Sequence, residues 1–124
     1  MADSVLFERT GDIAVVALDD GKVNALGPEL LAGLQAALDR AEKEAKALVL
    51  TGRPGRFSAG FDLSVLGGGG AAGRDLVTRG AETALRLIDF PLPVVAACSG
   101  HAIAMGALLL LASDFRIGAT GSFE

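Results

Sequence analysis

A chain of 124 residues is one domain at most, long enough to bury a core. Half its residues (51%) are hydrophobic, 17 are glycine, and Trp and Tyr are absent, so the expected core is aliphatic with six Phe. The formal charge of −4 excludes a broad nucleic-acid surface, and the single Cys98 and single His101 exclude an intrachain disulfide and a Cys- or His-rich metal site.

In chain order, Val5-Leu6-Phe7 and Ile13 to Leu18 read as a hairpin turning at Gly11. Asp19-Asp20-Gly21-Lys22 is a turn. Pro28 suits the first turn of a helix, where its missing N–H costs nothing. Leu30, Leu34, Leu38 and Ala41 then fall on one helical face. Ala47 to Thr51 is a continuous apolar run and predicts a strand buried on both faces. Strand, helix, strand implies parallel pairing. Gly52-Arg53-Pro54-Gly55-Arg56 is a basic loop at the carboxyl end of that strand, where open α/β sheets bind ligands. Asp62 reads as the cap of a following helix. Gly67 to Gly73 predicts a flexible loop, and it lacks the Gly-Lys-Ser/Thr ending of a phosphate loop. A second helix is expected over 74–89, with Leu76, Gly80, Thr83-Ala84 and Leu87 on its apolar or small face.

Leu92 to Ala112 carries 21 residues without a charge, about the length of a membrane span. Pro93 and the Ser99-Gly100 pair interrupt it, and no aromatic or basic anchors flank it. The preferred reading is a buried strand (Val94 to Ala97), a small-residue turn, and a buried helix through Leu108 to Leu111. Free backbone N–H groups at such a join suit an oxyanion or an acyl oxygen. Asp114 to Ile117 begins another strand, with Asp114 as a turn residue. Cys98 and His101 read as packing groups. The acidic N-terminal segment has no apolar run of signal length, and a reducing, cytoplasmic setting is expected.

These elements carry a resemblance. Asn24-Ala25-Leu26, Leu48 to Gly52, Phe57-Ser58-Ala59-Gly60-x-Asp62-Leu63, Pro93 to Ala97 with Gly100-His101-Ala102, and Asp114-Phe115-Arg116-Ile117 together resemble the enoyl-CoA hydratase/isomerase (crotonase) family. The match covers nearly the whole chain, and the GHAIAMGA stretch with its leucine-rich helix is similar to actinobacterial members. The resemblance implies an α/β, crotonase-like spiral of ββα units, with residues 1–124 as the N-terminal portion of the family domain. It implies an acyl-CoA thioester as substrate and no separate cofactor. Homotrimers or hexamers are expected of the full-length form, with no nucleic-acid or membrane partner. By position, the backbone N–H groups of Phe61 and Met105 are the family's oxyanion donors, each worth about 3–4 kcal/mol when placed for developing charge. Ala59, Gly60, Phe61 and Asp62 would line the thioester site. Lys22, Val23 and Ala25 would touch the pantetheine or adenine end, and Arg53 or Arg56 the CoA phosphates.

The chain departs from the family pattern at one chemically decisive position. Hydratases of the family carry a Glu where this chain has Leu108, and a second Glu that by spacing would fall about four residues beyond Glu124, so Glu124 does not take that role. Hydration needs an acid and a base, and that two-acid route is not available with Leu108. The expectations are therefore hydratase/isomerase-type acyl-CoA chemistry in a longer parent, with a single acid moving the proton, or a non-catalytic homologue that binds or associates. A serine hydrolase on a related fold ranks last, since Ser99-Gly100-His101 is not a triad.

Overall fold

The computed structural model of the chain describes residues 4–124. Met1, Ala2 and Asp3, part of the N-terminal segment read above for a signal, lie outside the described residues. Val5–Thr10 (β1) and Ile13–Leu18 (β2) pair antiparallel around Gly11, as the hairpin pattern predicts. A short strand Ala25–Leu26 (β3) follows, and then Pro28–Glu44 (α1), with Pro28 in the first turn. Its buried face holds Leu30, Leu34, Leu38 and Ala41, joined by Leu31 and Ala37. Ala47–Thr51 (β4) runs parallel to β2, completing the expected βαβ unit.

Gly55–Ser58 (β5), Gly60–Phe61 (β6) and the one-turn helix Leu63–Leu66 (α2) lead into the long helix Gly70–Ile88 (α3). Val94–Cys98 (β7), Gly100–Ala102 (β8), Met105–Leu111 (α4) and Phe115–Gly118 (β9) complete the order. The main sheet is ordered β1-β2-β4-β7-β9, and every pairing after the first hairpin is parallel. Two small parallel pairs, β3 with β6 and β5 with β8, stand apart from it.

The core lies on one face of the main sheet. Ala14, Val16 and Leu18 of β2, Leu48 and Leu50 of β4, and Val94 of β7 pack with the leucines of α1 and with Leu76 and Leu87 of α3. Arg86 ties the two helices together on the outside, meeting Asp39 at 2.8 Å and Glu42 at 3.0 Å.

Three expectations are corrected. β4 is not buried on both faces: Leu48 and Leu50 are, whereas Ala47, Val49 and Thr51 are only partly covered. The buried residues of β2, β4 and β7 share one register face, so the alternation of a half-buried strand overrides what an unbroken apolar run suggests. The glycine run is not all loop. Gly70 to Gly73 form the first turn of α3, and Gly73 is buried, because Ala71 and Ala72 supply helix formers and the tail of the run packs against α2. Nor is the four-leucine helix buried throughout: Leu109 is fully covered, while Leu108 is 51% and Leu111 67% exposed. Among the described residues no helix is long and apolar enough to cross a membrane.

Candidate functional site

The site is a backbone crossing at the ends of the small strands. Its hub is Asn24, fully buried and held at a positive φ of 55°. Its side-chain amide donates to the carbonyls of Leu18 (2.8 Å) and Phe57 (3.0 Å), and its Oδ1 accepts from the Asp20 N–H at 2.9 Å. Ser58 extends the hub: its hydroxyl donates to the Asn24 carbonyl at 2.8 Å and accepts from the Gly60 N–H at 3.1 Å. The buried amide and hydroxyl are thereby paired, which removes the cost of their burial. These bonds fasten the 20–25 turn onto the 57–60 segment.

The turn has its own anchor. The Asp20 carboxylate accepts from the backbone N–H groups of Lys22 (2.7 Å), Asn24 (2.9 Å) and Ala25 (3.0 Å). Partial burial works to raise its pKa, but those donors and the nearby Arg53 charge prevail and hold it below the usual carboxylate range. Arg53 pairs with Asp19 at 3.1 Å and also donates to the Lys22 carbonyl, so it serves the turn. Arg56 on β5 is exposed.

Both sequence-selected N–H groups sit at this crossing. Asp62 N–H donates to Leu26 O at 2.9 Å, so by the alternation of a parallel strand the Phe61 N–H points away from β3, to the open edge of that two-stranded pair. Met105 opens α4 after Ala104, whose φ is 53°, and its N–H is among those without an intrahelical acceptor. Gly60 joins the two. It has φ 92°, and a β-carbon there would stand 2.9 Å from Ile103 O and 3.3 Å from Met105 N. Gly106 is equally constrained, since a β-carbon on it would lie 2.4 Å from Ser58 O. Ile103 N–H donates to that same Ser58 carbonyl at 2.9 Å.

Two cavities flank the crossing. One, of about 500 Å³, is almost wholly apolar and lies between α3 and α4; Phe61, Val77, Leu85, Met105, Leu108 and Leu111 are among its walls. No titratable side chain lines it. The other, of about 250 Å³, is bounded by Val23, Arg56, Ala59, His101, Ile103 and Glu124. Of the residues selected from sequence, Phe61 and Met105 meet in the first cavity, Val23 and Ala59 meet in the second, and Gly60 lies between them in the chain. Lys22, Ala25 and Asp62 line neither. Lys22 is exposed on the turn, and Ala25 pairs with Gly60 in β3. Asp62 caps α2, accepting from the Ser64 N–H at 2.9 Å and the Ser64 hydroxyl at 2.7 Å, and these bonds lower its pKa.

His101 and Cys98, read from sequence as packing groups, and Asp114, read as a turn residue, all make contacts with nearby groups, and His101 also borders the second cavity. His101 Nδ1 accepts from the Glu124 N–H at 3.0 Å, and its ring stands edge-on to Phe123. Cys98 Sγ lies 3.1 Å from Gly100 O. Asp114 accepts from the Val94 N–H at 2.7 Å and fastens the start of β7. Among the described residues no cluster of three or more His, Cys, Asp or Glu could hold a metal ion. Sequence reasoning missed Val77, Leu85, Ile88 and Leu111 as cavity walls. Their signal was legible only as apolar positions that the core-facing stripes of α3 and α4 do not use.

The chain matches the enoyl-CoA hydratase/isomerase family model over residues 8–123. A Rhodobacter capsulatus protein named as an enoyl-CoA hydratase is 42% identical over 126 residues, covering 94% of this chain and 46% of that protein. The crystal structure of an enoyl-CoA hydratase/isomerase family protein from Pseudomonas syringae superposes with a TM-score of 0.95 at 42% identity, over 98% of this chain and 53% of that one. The apo structure of an enoyl-CoA isomerase of Mycobacterium tuberculosis gives a TM-score of 0.89 at 50% identity, over 94% of this chain and 51% of that one. The chain thus spans about half the length of the relatives it matches.

Proposed function

The chain belongs to the enoyl-CoA hydratase/isomerase family, and on that premise we propose that it binds an acyl-CoA thioester across Gly60. The thioester oxygen lies between the Phe61 and Met105 N–H groups, the acyl chain runs into the apolar cavity, and the pantetheine arm passes Ala59 and Val23. The observation that carries this reading is the shared wall. The two residues that own the candidate N–H donors also floor a cavity with no titratable group in its lining. Arg56 at the second cavity supplies a cation toward the CoA end.

Two fixed N–H donors at a thioester oxygen stabilise the enolate formed when a proton leaves the α-carbon, about 3–4 kcal/mol for each donor in a water-excluded site. Isomerisation and hydration both pass through such charge. They differ in the groups that move protons. Hydration needs one group for water and another for carbon. Leu108 offers neither and no titratable group lines the cavity, so isomerase-type chemistry would need its single acid from the longer parent protein. Likeness to the Mycobacterium tuberculosis protein, named both as a hydratase and as an isomerase, supports the general hydratase/isomerase class. Leu108 equally favours a second reading, a non-catalytic acyl-CoA binder. The proposal extends to a cytoplasmic setting, a role in fatty acid metabolism, no cofactor beyond the thioester substrate, and assembly of the full-length form as a homotrimer or hexamer.

Calorimetry with acyl-CoA tests binding, and no heat at millimolar ligand would overturn the proposal. Crotonyl-CoA hydration, followed at the thioester ultraviolet band, is expected to be undetectable, and clear turnover would refute the role given to Leu108. Conversion of a 3-enoyl-CoA to its conjugated isomer, read by rising absorbance, separates the isomerase from the pure binder.

A further inference from the structure

We propose that Gly80, on α3 and remote in sequence from the crossing, sets how far an acyl chain reaches into the apolar cavity by seating the Phe61 ring. Gly80 is buried in the interior of a long helix, where glycine weakens the helix relative to alanine. What it provides is space. A β-carbon at Gly80 would stand 2.4 Å from Phe61 Cζ, 2.5 Å from Phe61 Cε1 and 3.6 Å from Met105 Cε. The edge of the Phe61 ring therefore occupies the notch that any side chain at position 80 would fill.

The ring is packed against the buried core on one side and forms a wall of the cavity on the other. A methyl group at position 80 brings it well inside contact distance, so the ring must leave the notch, and the cavity is the open side. The same helix strip continues as cavity wall through Val77 and Ala84, so a displaced ring lies across the path of the chain. The Phe61 N–H is fixed separately. Its strand is held by the Asp62–Leu26 bond at 2.9 Å and by the Gly60–Ser58 bond at 3.1 Å. Gly80 is thus a positioning residue for acyl-chain length and leaves the thioester donors in place. This inference rests on the acyl-CoA reading above.

The test is calorimetric titration of the whole chain with acetyl-, hexanoyl- and decanoyl-CoA. Wild type is expected to bind more tightly as the chain lengthens, by about fourfold for each methylene that enters the cavity. Gly80→Ala is expected to keep the wild-type affinity for acetyl-CoA and to lose tenfold or more for decanoyl-CoA. Adding Phe61→Ala to it removes the displaced ring and restores the gain with length. If Gly80→Ala does not fold, the double variant keeps the idea testable: folding restored by Phe61→Ala supports the notch, and no restoration overturns it. A Gly80→Ala protein with the wild-type length dependence overturns the proposal, as does a double variant no better than Gly80→Ala. Wild type binding every length equally overturns it, together with the placing of the acyl chain in the apolar cavity, while leaving acyl-CoA binding itself standing. Wild type binding none overturns both.

Discussion

The crossing around Gly60 and the cavity between α3 and α4 share two residues, Phe61 and Met105, yet they are built by opposite means. At the crossing the fit is backbone against backbone. Gly106 and Gly60 admit neighbouring carbonyls within distances that no β-carbon tolerates, and Asn24 and Ser58 pair every buried polar atom they bring. In the cavity the fit is side chain against space. Leu108 and Leu111 are half-exposed or more, Leu85 is 64% exposed, and nothing polar fixes them. On the proposed function, the difference would be a division of labour. The geometry around a reacting oxygen would rest on atoms that cannot be substituted without moving the chain, and selection among acyl groups on the side chains of the cavity wall.

That contrast can be broken or sharpened by substitution. Gly106→Ala should have the largest effect, because its methyl would sit 2.4 Å from Ser58 O and the backbone would have to shift. A loss of about 3 kcal/mol in chemical denaturation is expected, and a wild-type midpoint would show that the crossing is not tight. Asn24→Ala comes next. It strips the Leu18 and Phe57 carbonyls and the Asp20 N–H of their partner, at about 2–3 kcal/mol.

Asp20 gives a smaller effect with a defined pH dependence. Its folded pKa lies below the ordinary aspartate value of about 3.9, because three backbone donors and Arg53 outweigh partial burial. Its contribution is therefore present above that ordinary value and is lost as pH falls through the lowered one. Asp20→Asn should cost about 1–2 kcal/mol at neutral pH. It should also flatten the fall in stability below about pH 4, measured by urea denaturation across pH. An unchanged acid limb would sink the anchoring role of this carboxylate. Leu111→Glu should have the smallest effect on stability, within about 0.5 kcal/mol, since the side chain is 67% exposed. It should nevertheless weaken decanoyl-CoA binding severalfold by putting a charge on an apolar wall. A large loss of stability there would mean the cavity wall is part of the core after all.

Much of the fold was legible in the sequence because the signals were local. The Leu30, Leu34, Leu38 spacing, the Pro28 start, the Gly11 turn and the Asp62 cap each depend on residues within a few positions of one another. The Phe61 and Met105 positions came from motif resemblance, and the structure brings the two residues together in the wall of one cavity beside Gly60. Other features were hidden for the opposite reason. Burial of β4 on one face depends on which helices cover the sheet. The helical start of the glycine run depends on its packing against α2. Arg53 looked like a free loop cation, and only its meeting with Asp19 and the Lys22 carbonyl assigns it to the turn.

The sequence by itself determined the order of the five main-sheet strands and the long helices, and its motifs carried the resemblance that pointed to the family and the two candidate donors, since periodicity, caps and short motifs are written in neighbouring residues. The four short strands of the two small pairs were not read from it. Only the tertiary structure decided that Gly80 faces Phe61, that Leu108 and Leu111 wall an apolar cavity, and that Asn24 ties the 20–25 turn to Phe57 and Ser58. The Gly80–Phe61 contact spans 19 positions, and the Asn24 bonds to Phe57 and Ser58 span 33 and 34. No local pattern encodes such distances, and the close packing of backbone and side chains in the folded chain is what fixes them.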